Sequence, residues 1–573
     1  MDTREILTRF KSGTLAKDQA AALLTGSPRA APVHEPPPPG PESREYRPPV
    51  AVADRPAVTA ADRFAITAVH GRFPHADGVD AFWRTATAAG ERGRRIEGAD
   101  EFDADFFGLG PRAAALLSSQ ERLLLETVWQ TLEYAGHTGA RLDALTAPDG
   151  EPRAVGVYVA HGPTGCRGTL PGRLSALLDL RGPSQCADSG ASSFLGALHL
   201  ALGALRGGEC AAALVAAVAL GADPARPDAS PADGVGAVLI RPLAAAQAAG
   251  DTVHAVVRAS AVAHAGRAAP ADADARLARR ARAAADLDAA DIGLCESLAG
   301  AGDAGAATGF IALTRALLQL THGTLLPVPG GPDTAPWPPP RDPQARELPR
   351  RAAVAVRGEG GSAAHVILEE YPAGRTGARD GGERVGSARG PGPAELILLS
   401  APTPRHLAAT ARLFADRLTA AADGPDGPPG LAALASELRI GRAAMDCRLA
   451  VTVHGTDELA DVLREFADTC PDAPADAPAD RSGHADLRGR RDAAPLVEEL
   501  GETVAYLTAL WRGRRLEALT RLWLAGVDVT RGEVTRGEVH GAHGPRPAVA
   551  LPGTAMLRRP VGTGLAVSGG PAR

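Results

Sequence analysis

The sequence predicts an α/β protein, and three observations carry that reading. Short β-like runs alternate with helical stretches from about Arg63 to Tyr371, and the alternation resumes on a smaller scale over 394–468. Hydrophobic residues make up 45% of the 573 positions but aromatic residues only 4%, so the cores must be built from Ala, Leu and Val.

In chain order, residues 1–26 place Ile6, Leu7, Phe10, Ala20, Leu23 and Leu24 at helical spacing around a Ser-Gly break. This reads as two short helices, either a docking element for another protein or a frayed terminal hairpin. Residues 27–62, with HEPPPPGPESREYRPP, form a proline-rich extended linker. In 63–372 the runs FAITAV, VGVYVA, AAALVAAVAL, VGAVLI, HAVVRAS, AAVAVR and HVILEE read as the buried strands of the main domain. A Gly/Arg-rich linker covers 373–393, and a smaller α/β subdomain covers 394–480, in the order strand, helix, helix, strand, helix. Residues 481–560 form a helical C-terminal region with Leu496, Leu500, Val504, Leu507 and Trp511 on one stripe, and 561–573 is a flexible tail.

The net charge of −6, with no long basic run, leaves no electrostatic footprint for nucleic acid. The six cysteines are scattered, with no C-x-x-C pair and no histidine at metal spacing, as expected of reduced thiols in a cytoplasmic protein that binds no metal. Charges in MDTREILTRFKSG argue against a secretory signal, and the longest apolar run, Cys210 to Leu220, is too short to cross a bilayer.

Several segments resemble, in order, the ketosynthase (beta-ketoacyl synthase) domain of modular type I polyketide synthases. FAITAVHGRFPHADGVDAFWR (64–84) is similar to its opening strand, turn and first helix, and EFDADFFGLGPRAAALLSSQERLLLETVWQTLEYAG (101–136) to the segment that follows. LPGRLSALLDLRGPSQCADSGASSFLGALHLALGALRGGEC (170–210) resembles the stretch that carries the nucleophile, and RGEGGSAAHVILEEYP (357–372) the closing glycine loop and strand. Residues 394–560 are similar to the linker and post-ketosynthase region, and 1–62 to the lead-in of some trans-acyltransferase modules.

The resemblance implies a shortened thiolase-like αβαβα sandwich, normally a dimer. A cysteine stands at the N-terminus of a buried helix, where amides and the helix dipole favour a thiolate. The phosphopantetheine arm of an acyl carrier protein brings the acyl groups, and two histidines assist condensation.

Against that pattern the family's Asp-x-Ala-Cys-Ser-Ser motif reads Asp188-Ser189-Gly190-Ala191-Ser192-Ser193, so Ala191 stands at the nucleophile position. A methyl group cannot form a thioester. Cys186 falls within the presumed strand as a small buried hydrophobe, and Ser192 and Ser193 open the next helix as amide caps. The first histidine motif reads Ile292 to Gly302 with Leu298 at the histidine, and the second reads Gly302 to Gly309 with Asp303 at the histidine and Gly305 at a glutamate. The two motifs, separated by several tens of residues in the family, are fused here, and His161–Thr169 and Gly221–Gly234 replace longer segments. In the closing loop, Gly358, Gly360 and Gly361 read as a tight turn beside the former active site, while Arg357 and Glu359 stand where the family favours Phe, and Ala363 where it favours Asn.

The expectation is therefore a ketosynthase-like partner without catalysis. It would bind an acyl carrier protein or pair with an active ketosynthase or polyketide synthase module as a homo- or heterodimer, with no bound cofactor beyond the carrier's phosphopantetheine arm. Residual acyltransferase or malonyl-decarboxylating activity is the alternative, and a decaying duplicate without a selected role is a third. Gly300-x-Gly302-x-x-Gly305 also has the spacing of a dinucleotide fingerprint, although HGTLLPVPGG stands where the acidic residue of that motif belongs.

Overall fold

The computed structural model describes residues 63–87, 94–162, 169–221, 232–267, 269–297, 304–327, 334–358, 360–371, 392–422, 427–469, 482–489, 501–531 and 551–561. The expected N-terminal helices, proline-rich linker, Gly/Arg-rich linker and flexible tail beyond Val561 lie outside the described residues.

Nine principal strands form the main sheet. They are β1 (Phe64–Phe73), β2 (Val155–His161), β3 (Ser184–Ala187), β4 (Ala212–Ala219), β5 (Gly234–Pro242), β6 (Ala255–His264), β7 (Leu294–Glu296), β8 (Arg351–Arg357) and β9 (Ser362–Glu369). Their order is β3-β2-β4-β5-β1-β6-β9-β8-β7. β2 runs parallel to β3 and β4, β7 runs parallel to β8, and the remaining pairs are antiparallel. β1 pairs with β5 from Phe64 to Arg72 but with β6 only from Phe64 to Ile66, and this short seam joins two half-sheets.

Two helices, α4 (Ser193–Gly207) and α6 (Thr308–His322), share one core with both half-sheets. Phe194, Leu198, Phe310 and Leu313 are completely buried there. Small residues let the layers approach: a Cβ at Gly236 would lie 1.9 Å from the Phe310 ring, and one at Gly309 would lie 3.2 Å from Phe194 and Leu195. On the outer face of the first half-sheet sit α2 (Ser119–Tyr134) and α3 (Leu170–Leu178), which bury Leu123, Val128, Leu132 and Leu174. Ser118 and Glu121 start α2 with a reciprocal capping box. Helix α5 (Pro270–Ala285) covers the second half-sheet through Leu277, Ala281 and Ala285. The result is the five-layered αβαβα sandwich, and α1 (Val79–Thr87) packs beside β1.

The smaller subdomain comprises β10 (Glu395–Ala401), α7 (Pro404–Ala422), α8 (Leu431–Ile440), β11 (Cys447–Val453), α9 (Thr456–Thr469) and β12 (Ser482–Asp486), with sheet order β10-β11-β12. β12, with the polar sequence SGHAD, had no apolar pattern to announce it. α7 and α9 cover one face of this sheet. α10 (Gly501–Arg512) and α11 (Leu516–Leu524) cover the other, setting Trp511 and Trp523 on Leu396, Leu398 and Ala450. Of the stripe expected over these helices, Val504, Leu507 and Trp511 lie in α10, and Leu496 and Leu500 fall outside the described residues.

A strap, Leu551–Val561, then returns to the main domain. The Thr554 hydroxyl donates to Glu133 Oε1 at 2.6 Å, the Leu557 amide donates to Asp103, and Arg558 donates to Glu126 at 2.7 Å and Asp77 at 2.8 Å. His406 Nε2 lies 2.7 Å from the same Asp103 Oδ2 that accepts from Leu557, so a buried polar seam ties subdomain and main domain together. No described helix is long and apolar enough to cross a membrane.

Candidate functional site

Strand β3 feeds an elbow, Asp188–Ser192, that turns into α4 at the inner core. Gly190 sits at φ +63°, a left-handed conformation that a residue without Cβ adopts freely. Ala191 is half-buried and packs its methyl against the core shared by the two half-sheets. The serines do not cap α4 as expected. The Ser192 hydroxyl donates back to the Ser189 carbonyl at 2.9 Å, while the Ser193 hydroxyl accepts from the Ser189 amide and donates to the Gly190 carbonyl, both at 2.7 Å. The elbow is thus held by its own hydroxyls, because the turn leaves backbone groups pointing inward that need partners.

The closing turn lies directly on the elbow. The Gly361 amide donates to the Gly358 carbonyl at 3.0 Å, and the Gly358 amide donates to the Ser362 carbonyl at 2.8 Å. A Cβ on Gly358 would stand 2.1 Å from the Ser189 carbonyl oxygen and 3.2 Å from Ser192 Oγ, so glycine is the side chain that lets the two loops touch. Two side chains outside the expected site hold this turn from behind. His264 Nε2 lies 2.7 Å from the Gly360 carbonyl, and Arg357 donates to the Pro270 carbonyl at 2.7 Å and pairs with Asp274. Arg357 stood out in sequence as a departure from Phe, whereas His264 became visible only through the pairing of β6 with β9, which sets it opposite Ser362.

Leu298, Gly302 and Asp303, and with them Gly300 of the glycine-rich spacing, lie outside the described residues. The flank that follows them packs against the head of α4. β7 ends at Glu296, and Gly305–Ala307 form one 3-10 turn that runs into α6, whose Gly309 packs on Phe194 and Leu195 at the head of α4.

The electrostatics oppose thiolate chemistry. Cys186 is half-buried on β3, less enclosed than expected, and burial still pushes its thiol pKa up. No described imidazole hydrogen-bonds the hydroxyl of Ser189, Ser192 or Ser193: His264 is engaged with Gly360, His199 with Ser260 and His161 with Gly162. His365 on β9 is buried, and desolvation lowers its pKa to about 4. Among the described residues no group of three or more His, Cys, Asp or Glu side chains could hold a metal ion.

Comparison with known proteins assigns this geometry to a lineage. The beta-ketoacyl synthase N-terminal domain family matches residues 84–229, and the RhiE-like KS-MAT linker domain family matches 398–469. Polyketide synthase ThaG of Burkholderia thailandensis is 30% identical over 69% of this chain, and erythronolide synthase EryA2 of Saccharopolyspora erythraea is 31% identical over 68%. The chain spans only 9% and 13% of the lengths of those two relatives. Among solved structures, an oxazolomycin ketosynthase domain of Streptomyces albus superposes with a TM-score of 0.67 at 26% identity, covering 87% of this chain and 98% of that one. The ketosynthase from module 6 of the Bacillus subtilis bacillaene synthase gives 0.68 at 21%, covering 87% and 99%. With the thiolase-like sandwich and the matches to both the ketosynthase and the linker families, the chain belongs to the ketosynthase family of modular polyketide synthases.

Proposed function

We propose that this chain is a non-condensing ketosynthase of a polyketide assembly line of trans-acyltransferase type. In this reading it serves as a partner that binds an acyl carrier protein or pairs with an active ketosynthase. The observation that carries the reading is Ala191 at the elbow, because acyl transfer needs a nucleophile there and a methyl group offers no lone pair. The nearest thiol in sequence, Cys186, has its pKa raised by burial, and the Ser192 and Ser193 hydroxyls are committed to backbone groups. The RhiE-like linker match and the likeness to bacillaene and oxazolomycin ketosynthases support placement in an assembly line. The phosphopantetheine arm would be the partner's cargo rather than a resident cofactor.

Intact-protein mass spectrometry after incubation with acyl- and malonyl-loaded carrier proteins tests the proposal. The expected result is an unchanged protein mass and no release of carbon dioxide above the carrier alone, with stable co-elution with a carrier protein or ketosynthase. Covalent acylation, rapid decarboxylation, or elution apart from every carrier and ketosynthase tried would overturn it.

A further inference from the structure

A half-open groove of about 830 Å³ lies on the outer helical side of the first half-sheet, where the strap meets the short helix Pro111–Leu116. The elbow faces the opposite, inner side of that sheet, so the groove is no part of the site described above. Its volume falls within the range of small-molecule sites, roughly 300–1,000 Å³. Phe102, Leu109, Leu116, Leu557 and Val561 give it an apolar lining. Leu116 is 71% exposed, the most exposed large hydrophobic side chain among the described residues.

The charges around the groove are unbalanced. Arg112 and Arg559 both line it, both are exposed, and neither side chain takes part in an ion pair or hydrogen bond among the described residues. Of the two lining carboxylates, Asp103 is already committed to the amides of Phe106 and Leu557 and to His406. Asp105 remains, so two guanidiniums face one uncommitted acid. Guanidiniums favour planar or tetrahedral oxyanions because several donors converge on them, while the apolar wall favours hydrocarbon.

We infer that this groove binds an amphiphilic anion, a linear hydrocarbon chain ending in a carboxylate or a phosphate, with the chain along Leu116 and Leu557 and the head group between Arg112 and Arg559. The inference does not depend on the state of the elbow.

Isothermal titration calorimetry of the full chain with dodecanoate and with dodecyl phosphate, both below their micelle concentrations, tests it, and the two arms tell carboxylate from phosphate. Saturable binding of at least one probe is expected, weakened at least about tenfold in the Arg112→Glu/Arg559→Glu double variant and also in Leu116→Glu. All three positions are exposed, so circular dichroism and the thermal midpoint should not change. Absence of heat with both probes, or equal affinity in the double variant, would refute the site. So would a concentration-dependent dimer in sedimentation velocity that Leu116→Glu dissociates, because a second copy would then be the occupant. None of these outcomes alters the acylation result on which the non-condensing proposal stands.

Discussion

The contact between closing turn and elbow can be tested by adding a single methyl group. In Gly358→Ala the new Cβ would stand 2.1 Å from the Ser189 carbonyl oxygen, whereas real Cβ atoms essentially never approach a heavy atom within 3.0 Å. The two loops must therefore separate by roughly 1 Å, and because the closest atom is a backbone carbonyl oxygen the strain cannot be relieved by a rotamer change; overpacking of this kind costs about 1–3 kcal/mol. Gly358 has no positive φ, so the penalty is steric rather than conformational. Two residues on, Gly360 has nothing within 4 Å of an added Cβ and no positive φ, and Gly360→Ala should be neutral within about 0.5 kcal/mol. Differential scanning fluorimetry of the two variants side by side reads the difference, on the order of 2 °C for each kcal/mol. Equal midpoints for Gly358→Ala and Gly360→Ala would refute the reasoning, since they would mean that the turn does not rest on the elbow.

His70, His137 and His365 are buried, and desolvation lowers each pKa from 6.5 to about 4. Between those values the unfolded chain binds more protons than the folded one, so stability should fall as pH drops from 6.5 towards 4, measured as thermal midpoint against pH. Phe310→Ala should cost about 3–5 kcal/mol in chemical denaturation, because the facing residues, Gly71 and Gly236, have no side chains with which to fill the void. Arg558→Ala leaves Glu126, whose side chain is 1% exposed, without its nearest guanidinium, and should destabilise by about 3–5 kcal/mol and release the strap to limited proteolysis. Ala191→Cys should create a thiol that iodoacetamide labels faster than Cys186, read by peptide mapping, without restoring condensation.

Much of this fold was legible because buried strands advertise themselves. VGVYVA, AAALVAAVAL and VGAVLI are apolar throughout, and each became a strand enclosed on both faces. β12 was not legible, since SGHAD earns its place only by pairing with β11, a non-local contact with no periodicity of its own. Nor was the role of α10, whose apolar stripe announced a partner without naming the subdomain sheet as that partner. At the site, the substitution at Ala191 could be read from motif register alone. The behaviour of Ser192 and Ser193 could not, because Ser is an N-cap residue by preference and here the elbow's unpaired backbone groups compete for the same hydroxyls.

The strap sets a schedule for biosynthesis. The acids at Asp103, Glu126 and Glu133 emerge early, yet the groups that complete their environment are Thr554, Leu557 and Arg558, separated from them by 421 to 454 positions. At ribosomal speeds of about 5–20 residues per second, each nascent chain carries these carboxylates without their strap hydrogen-bond and ion-pair partners for roughly 20–90 s. A product released before the strap is translated lacks those partners permanently.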